Sequence, residues 1–382
     1  MTSTDVLGTT RALFDLIDRE APTTESGATL SPAVVEAFHE QGLFGLMIPK
    51  ELGGTEADLL TTLEVYEEAS RADGSTGWSL LANATTSAFA AAYCGDDAVA
   101  AMFRGDRFPT HAGQFSPRGT AHRQDDGSYL VAGRYSFGSG SGHSNWMGGG
   151  AIEMRDGEMV TAPSGLPVIR AYFVPRENVE FLGNWDVMGL TGTGSYDYEV
   201  PEQVVQESFT FDLINAVPRR GGPVYRLGVM GLTAVGHAAF ALGVGRRALE
   251  EMLHVLETKH RLGASQPLRD QQRFRFEYAH HDAALLSARA FVYESFASVQ
   301  DTLFAGDDPT PLQRARLRQS TTYVTHVAEE AVRFAYTTAG TDALRPGALQ
   351  RCFRDIHAAT QHLVVDDSTF VDATAVLLAQ GS

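Results

Sequence analysis

Two residue groups in this sequence have types and spacing suited to chemistry. Ser139 sits in the run Phe137-Gly138-Ser139-Gly140, which continues through Gly142 to His143. Glycines in such a loop let backbone approach a flat ligand without Cβ clashes. The hydroxyl offers one donor and two acceptor sites. Spacing alone also describes an ordinary glycine-rich hairpin with a turn serine. Further on, His357 and His362 stand five residues apart in a segment with helical pattern. Imidazole exchanges protons near neutral pH. A helix would put the two rings on different faces, so at most one serves a given site.

Other chemistries lack their residues. Cys94 and Cys352 are the two cysteines, and neither belongs to a CxxC or a zinc-like Cys/His spacing, so no metal is expected. No GxGxxG follows a strand pattern, and no GxxxxGK[ST] occurs. The 382 residues carry 30 Lys+Arg against 47 Asp+Glu, a formal charge of -17. That balance disfavours nucleic acid and a polybasic membrane contact. Residues 1–18 lack a basic start followed by an apolar run, so no signal peptide is expected. The stretch 227–245 has 19 residues without a charge, near the lower length for a spanning helix. Its glycines and His237 favour a buried bundle helix instead. The same reading holds for the charge-free stretch from Gly74 to Gly95. A cytoplasmic protein is the expectation.

Three blocks must position these residues. Residues 1–106 read as helical. Ser31-Pro32 is an N-cap with proline in the first turn, an amphipathic stretch runs over 59–72, another over 76–93, and a short one follows Asp96-Asp97 to Phe103. Residues 107–212 turn to short alternating runs such as 128–132, 168–174 and 196–200. Turn signals such as Asp125-Asp126-Gly127 separate them, which predicts a central antiparallel β domain. Residues 213–382 predict a C-terminal four-helix bundle, with helices over 225–257, 270–302, 310–339 and 348–378. This is an α+β chain, mostly α. Its helices and strands are segregated, which excludes a doubly wound sheet.

Three motifs sharpen the pattern. The first runs from His111-Ala112-Gly113-Gln114-Phe115-Ser116-Pro117 through Gly127-Ser128-Tyr129 to Phe137-Gly138-Ser139-Gly140 and His143-Ser144-Asn145-Trp146. The second is Trp185-Asp186-Val187-Met188-Gly189-Leu190-Thr191-Gly192-Thr193-Gly194-Ser195-Tyr196-Asp197. The third is Arg354-Asp355-Ile356-His357-Ala358-Ala359-Thr360-Gln361-His362. Together with Gly74-Ser75-Thr76-Gly77-Trp78, they resemble the acyl-CoA dehydrogenase superfamily. The likeness is to its two-component, group D flavin-dependent monooxygenase branch.

The resemblance implies a monooxygenase that uses reduced FMN or FAD from a separate flavin reductase. With O2 it would form a C4a-hydroperoxide and hydroxylate an aromatic or polycyclic small molecule. It places Ser139 near flavin N5 and His362, in preference to His357, at the peroxide. It also places Phe115, Ser116, Phe137 and Gly138 beside the ring, and Arg261 on a neighbouring subunit's cofactor in a homotetramer. Arg261 equally reads as a cation at a helix C-terminus. Asn83, Thr86, His237 and His357 are candidate pocket residues. Thr191 departs from the arginine usual in the second motif, and Tyr135 stands where tryptophan is common.

Three rival functions compete with hydroxylation. An acyl-CoA dehydrogenase-type FAD oxidoreductase needs a carboxylate base. The regions where that family keeps one, around Tyr225-Arg226-Leu227-Gly228 and His362-Leu363-Val364-Val365, hold none. Only Asp366 or Asp367 would replace it. The second rival is an N-oxygenase acting on an amine, and the third is a non-catalytic ligand-binding relative.

Overall fold

Local capping chemistry starts the N-terminal helices. Ser31 accepts the Val34 amide with Pro32 in the first turn, Asp58 accepts the Thr61 amide, and Asp73 accepts the Thr76 amide. The computed structural model describes residues 3–258 and 266–380. Its first helices are α1 (Ser3–Ala12), α2 (Phe14–Gly27), α3 (Pro32–Glu40), α4 (Leu59–Ala72), α5 (Gly74–Tyr93) and α6 (Asp96–Met102). The charge-free α5 is buried along almost its whole length, Asn83 included.

The strands are β1 (His111–Arg123), β2 (Tyr129–Gly138), β3 (Trp146–Arg155), β4 (Glu158–Met159), β5 (Ile169–Pro175), β6 (Glu180–Gly183), β7 (Tyr196–Val205) and β8 (Thr210–Asp212). They form one sheet in the order β6-β7-β2-β1-β3-β5-β8, with β4 on β3. The expectation of an antiparallel sheet needs correction, because the sheet is mixed: β1 and β3 pair in parallel, from His111 opposite Trp146. The β1–β2 hairpin returns the chain to the start of β1. From there a short turn at Ser141–His143 delivers β3 to the other side of β1, running the same way. A bulge between Gln114 and Gly119 bends β1 against β3. Side chains at Gly148, Gly149 and Gly150 would strike Phe115, Tyr172 and the Phe115 carbonyl. These three glycines therefore serve sheet packing.

The C-terminal helices are α7 (Gly228–Thr258), α8 (Gln272–Phe304), α9 (Pro311–Ala339), α10 (Ala348–Ala359) and α11 (Ser368–Gln380). Helix α7 carries the long apolar stretch, and its most apolar window is 78% buried against the rest of the protein. A Cβ at Gly243 would come within 2.3 Å of the Glu67 carbonyl on α4, so this glycine sets the closest approach of the two helices. The single helix expected over 348–378 is broken. Helix α10 ends at Ala359, His362 caps a 3-10 turn at Leu363–Val365, and Asp366 accepts the Ser368 amide to start α11. His362 is therefore a turn residue, not a helical one. The face-of-a-helix argument does not apply to its relation with His357.

Candidate active site

The loop carrying Ser139 is folded onto α5. Phe137 (φ +65°) and Gly140 (φ +77°) turn the chain where β2 ends. A Cβ on Gly140 would lie 2.4 Å from the Asn83 amide nitrogen. Asn83 donates to the His111 carbonyl at 3.0 Å and to the Gly140 carbonyl at 3.4 Å. It accepts from His143 Nε2 at 2.8 Å. Burial pushes the His143 imidazole down to about 3, which keeps it neutral. Asn83 thus clamps the loop to its helix.

Ser139 sits at the end of a chain of hydroxyls. Trp78 Nε1 donates to Ser139 Oγ at 3.1 Å. Ser139 Oγ is 2.8 Å from Ser195 Oγ, which is 2.6 Å from Thr193 Oγ1. Thr193 Oγ1 donates to the Leu190 carbonyl at 2.7 Å. The turn bearing Thr193 is fastened from two sides. Asp355 on α10 accepts the Leu190 amide at 2.6 Å, holding Leu190 at φ +56°, and Ser75 on α5 accepts the Gly192 amide at 3.2 Å. Burial, then the nearby Asp73, raises the Asp355 carboxyl to about 7.

Trp78 also joins this loop to two histidines. Its ring meets those of His237 and His362 edge-on, at 4.9 and 5.8 Å between centroids. His237 Nδ1 donates to the Thr233 carbonyl at 3.0 Å, and its Nε2 is buried without a hydrogen-bond partner among the described residues. His362 Nδ1 accepts the Val364 amide at 3.2 Å. Burial lowers His237 to about 4; burial and then His237 lower His362 well below its ordinary value. Both rings are neutral near pH 7.

The expected site residues separate into two sets. Ser139, His362 and His237 come together around Trp78, and Phe137 leaves its ring 65% exposed beside Trp185. Met188 and Leu363 are exposed apolar residues of the adjoining turns. His357 points elsewhere: Nδ1 donates to the Phe353 carbonyl and Nε2 lies 3.6 Å from Glu329. Phe115 packs against Phe89 and Phe173, and Ser116 is tied to the Gln114 side chain. Gly138 packs against Tyr198, and Thr86 is buried on α5. Arg261 lies outside the described residues. The sequence motifs contained Trp78, Thr193, Ser195 and Trp185, but only side-chain geometry gives them a place beside Ser139.

No carboxylate joins this cluster among the described residues. Asp366 is exposed and caps α11, and Asp367 pairs with His326 at 3.1 Å. Neither replaces the base that α,β-dehydrogenation needs. A planar aromatic ring with N–H and carbonyl edges fits what is present. There is an exposed aromatic face at Phe137, a hydroxyl at Ser139, and an unpartnered imidazole nitrogen on His237. A reduced flavin has that shape and edge chemistry.

Comparison with known proteins gives the following likenesses. Residues 14–103 match the acyl-CoA dehydrogenase N-terminal domain, and residues 235–367 match the C-terminal domain. The chain is 30% identical over 353 residues to an indole-3-acetate monooxygenase of Pseudomonas putida, covering 92% of this chain and 88% of that one. It is 26% identical to the oxygenase subunit HsaA, a flavin-dependent monooxygenase of Rhodococcus jostii, with 93% of each chain covered. In fold it is similar to the HsaA monooxygenase of M. tuberculosis, with a TM-score of 0.89 at 22% identity over 99% of this chain and 98% of that one. It is also similar to the TdsC dibenzothiophene monooxygenase of Paenibacillus sp. A11-2 in its complex with FMN and indole, with a TM-score of 0.81 at 23% identity over 98% of this chain and 97% of that one.

Proposed function

The chain belongs to the acyl-CoA dehydrogenase family, on its branch of two-component flavin-dependent monooxygenases, and we propose that it hydroxylates an aromatic small molecule of the indole type. It is a flavin-dependent oxidoreductase of the monooxygenase class. The observation that carries the site reading is the Trp78 indole, which joins the Ser139 hydroxyl to the His362 and His237 rings.

When bound, reduced FMN or FAD supplies the electrons that activate O2 for transfer of one oxygen atom. The protein's own residues do the rest. Ser139 Oγ, with one hydrogen-bonding site left beside Trp78 and Ser195, would hold the edge of the flavin by a hydrogen bond. His362 carries its hydrogen on Nε2, because Nδ1 is occupied by the Val364 amide, and as a neutral ring it would give the reacting oxygen a hydrogen bond. Phe137, Met188 and Leu363 present exposed apolar surface, which favours an aromatic substrate and would exclude water once flavin and substrate cover it. The exposed carboxylates of Asp366 and Asp367 leave the dehydrogenase reading without a base. A separate reductase supplies the reduced flavin in this reading.

A homotetramer is also part of the proposal. It is supported by exposed apolar side chains on α8, at Phe276 and Leu286.

The test is isotopic. The protein is mixed with a flavin reductase, NADH, FMN and indole or indole-3-acetate under 18O2. The reading expects one 18O atom in the organic product. Substrate returned unchanged across a panel of indoles, phenols and fused aromatics, with all O2 converted to H2O2, would count against it.

A further inference from the structure

Proton counting along the hydroxyl chain gives Ser139 a direction. Thr193 Oγ1 donates to the Leu190 carbonyl, which can only accept. Thr193 Oγ1 is therefore the acceptor in its 2.6 Å contact, and Ser195 donates to it. Ser195 has then spent its one proton, so in the 2.8 Å contact it accepts from Ser139. Ser139 has spent its own proton too. One of its lone pairs is taken by the Trp78 N–H, which can only donate. What remains on Ser139 Oγ is one lone pair, an acceptor.

The two redox states of flavin differ at the atom that would meet it. Reduced flavin carries a hydrogen on N5 and donates there, whereas oxidised flavin has a bare N5 that only accepts. We propose that Ser195 and Thr193 are specificity-determining residues that orient Ser139 as an acceptor and so select the reduced form of the flavin over the oxidised form. This rests on the reading that Ser139 faces the flavin. Oxidised flavin meets a donor only if Ser139 turns its proton outward; turning Ser139 alone forfeits its bond to Ser195, and reversing the whole chain forfeits the Thr193–Leu190 hydrogen bond instead. The carbonyl keeps the Thr193 amide at 3.1 Å, so the forfeit is one hydroxyl bond. One such bond corresponds to a preference of about three- to tenfold. For a protein fed by a reductase, the selection loads the reactive form and releases the spent one.

Two variants undo the direction by different routes. Ser195→Ala removes the acceptor that holds the Ser139 proton, which frees it to point outward. Thr193→Val removes the acceptor that holds the Ser195 proton, so Ser195 can donate to Ser139 and turn it around. Trp78→Phe removes a donor but leaves the direction unchanged. Dissociation constants for FMN are measured by equilibrium dialysis in air, and for reduced FMN by anaerobic dialysis, on wild type and all three variants. Wild type is expected to favour reduced FMN. The ratio of the two constants is expected to fall about three- to tenfold in Ser195→Ala and Thr193→Val and to hold in Trp78→Phe. Wild-type protein that binds FMN with the ratio unchanged in both hydroxyl variants overturns the inference alone. An equal fall in Trp78→Phe does the same. Wild-type protein that binds neither form overturns the flavin-site reading, and the inference with it.

Discussion

The imidazoles of His237 and His362 lie 4.1 Å apart between ring centroids, with backbone groups fixing their protons in opposite senses. His237 keeps its hydrogen on Nδ1, bonded to the Thr233 carbonyl, and exposes a bare Nε2. His362 gives Nδ1 to the Val364 amide and keeps its hydrogen on Nε2. A ring that donates and a ring that accepts thus share one dry corner. Burial holds His362 far down, and repulsion from a charged His237 would add to it.

His237→Gln should raise the titration of His362 toward its ordinary range, since the like charge is gone while burial remains. Histidine-selective NMR over pH 3–8 reads this directly. A His362 titration unmoved by the substitution would mean that the two rings do not interact.

His362→Ala and His357→Ala should behave differently. His362→Ala is expected to lower the yield of hydroxylated product per reduced flavin consumed by about tenfold or more, through loss of a positioned hydrogen-bond donor. His357→Ala leaves the yield near wild type, because His357 is engaged with Phe353 and Glu329. Product and H2O2 measured together make the comparison.

Asn83→Ala should cost about 1–3 kcal/mol of stability, the penalty for leaving buried polar partners unpaired. Three hydrogen bonds converge on that side chain, from His143 and to the His111 and Gly140 carbonyls. Flavin binding should fall as well, because the Ser139 loop loses its clamp. Urea unfolding and flavin titration on the same sample check both.

Asp355 gives a pH dependence with a defined sign. Its carboxyl is raised from 3.8 to about 7 in the folded protein. Between those values the folded state binds more protons than the unfolded state. The contribution of Asp355 to stability is therefore full below about 4 and is lost as pH rises to about 7, at roughly 1.4 kcal/mol per unit. Asp355→Asn keeps an oxygen for the Leu190 amide and removes the charge. Its stability should exceed that of wild type at pH 8 relative to pH 5, as measured by denaturant midpoints at the two values.

Much of the architecture was legible from the chain alone. Caps at Ser31 and the amphipathic run over 59–72 marked helices that the structure contains at those places. The charge-free stretch over 227–245 became the buried α7 for the expected reason. Other features depended on three dimensions. The parallel β1–β3 pairing follows from where the hairpin leaves the chain, which alternation does not encode. The break before His362 rests on a side chain bonding its own turn, and helical periodicity across 348–378 concealed it. Ser139 and His362 stood out by motif. Their link through Trp78, and the polarity set by Ser195 and Thr193, appear only when atoms from α5, β2 and the 189–195 turn are brought within hydrogen-bond distance.

The most direct test of the account is anaerobic titration of wild type and Ser139→Ala with reduced FMN. The account predicts saturable binding to wild type and a dissociation constant at least about threefold higher for Ser139→Ala, with both proteins equally folded. Equal affinity of the two proteins for reduced FMN would contradict it.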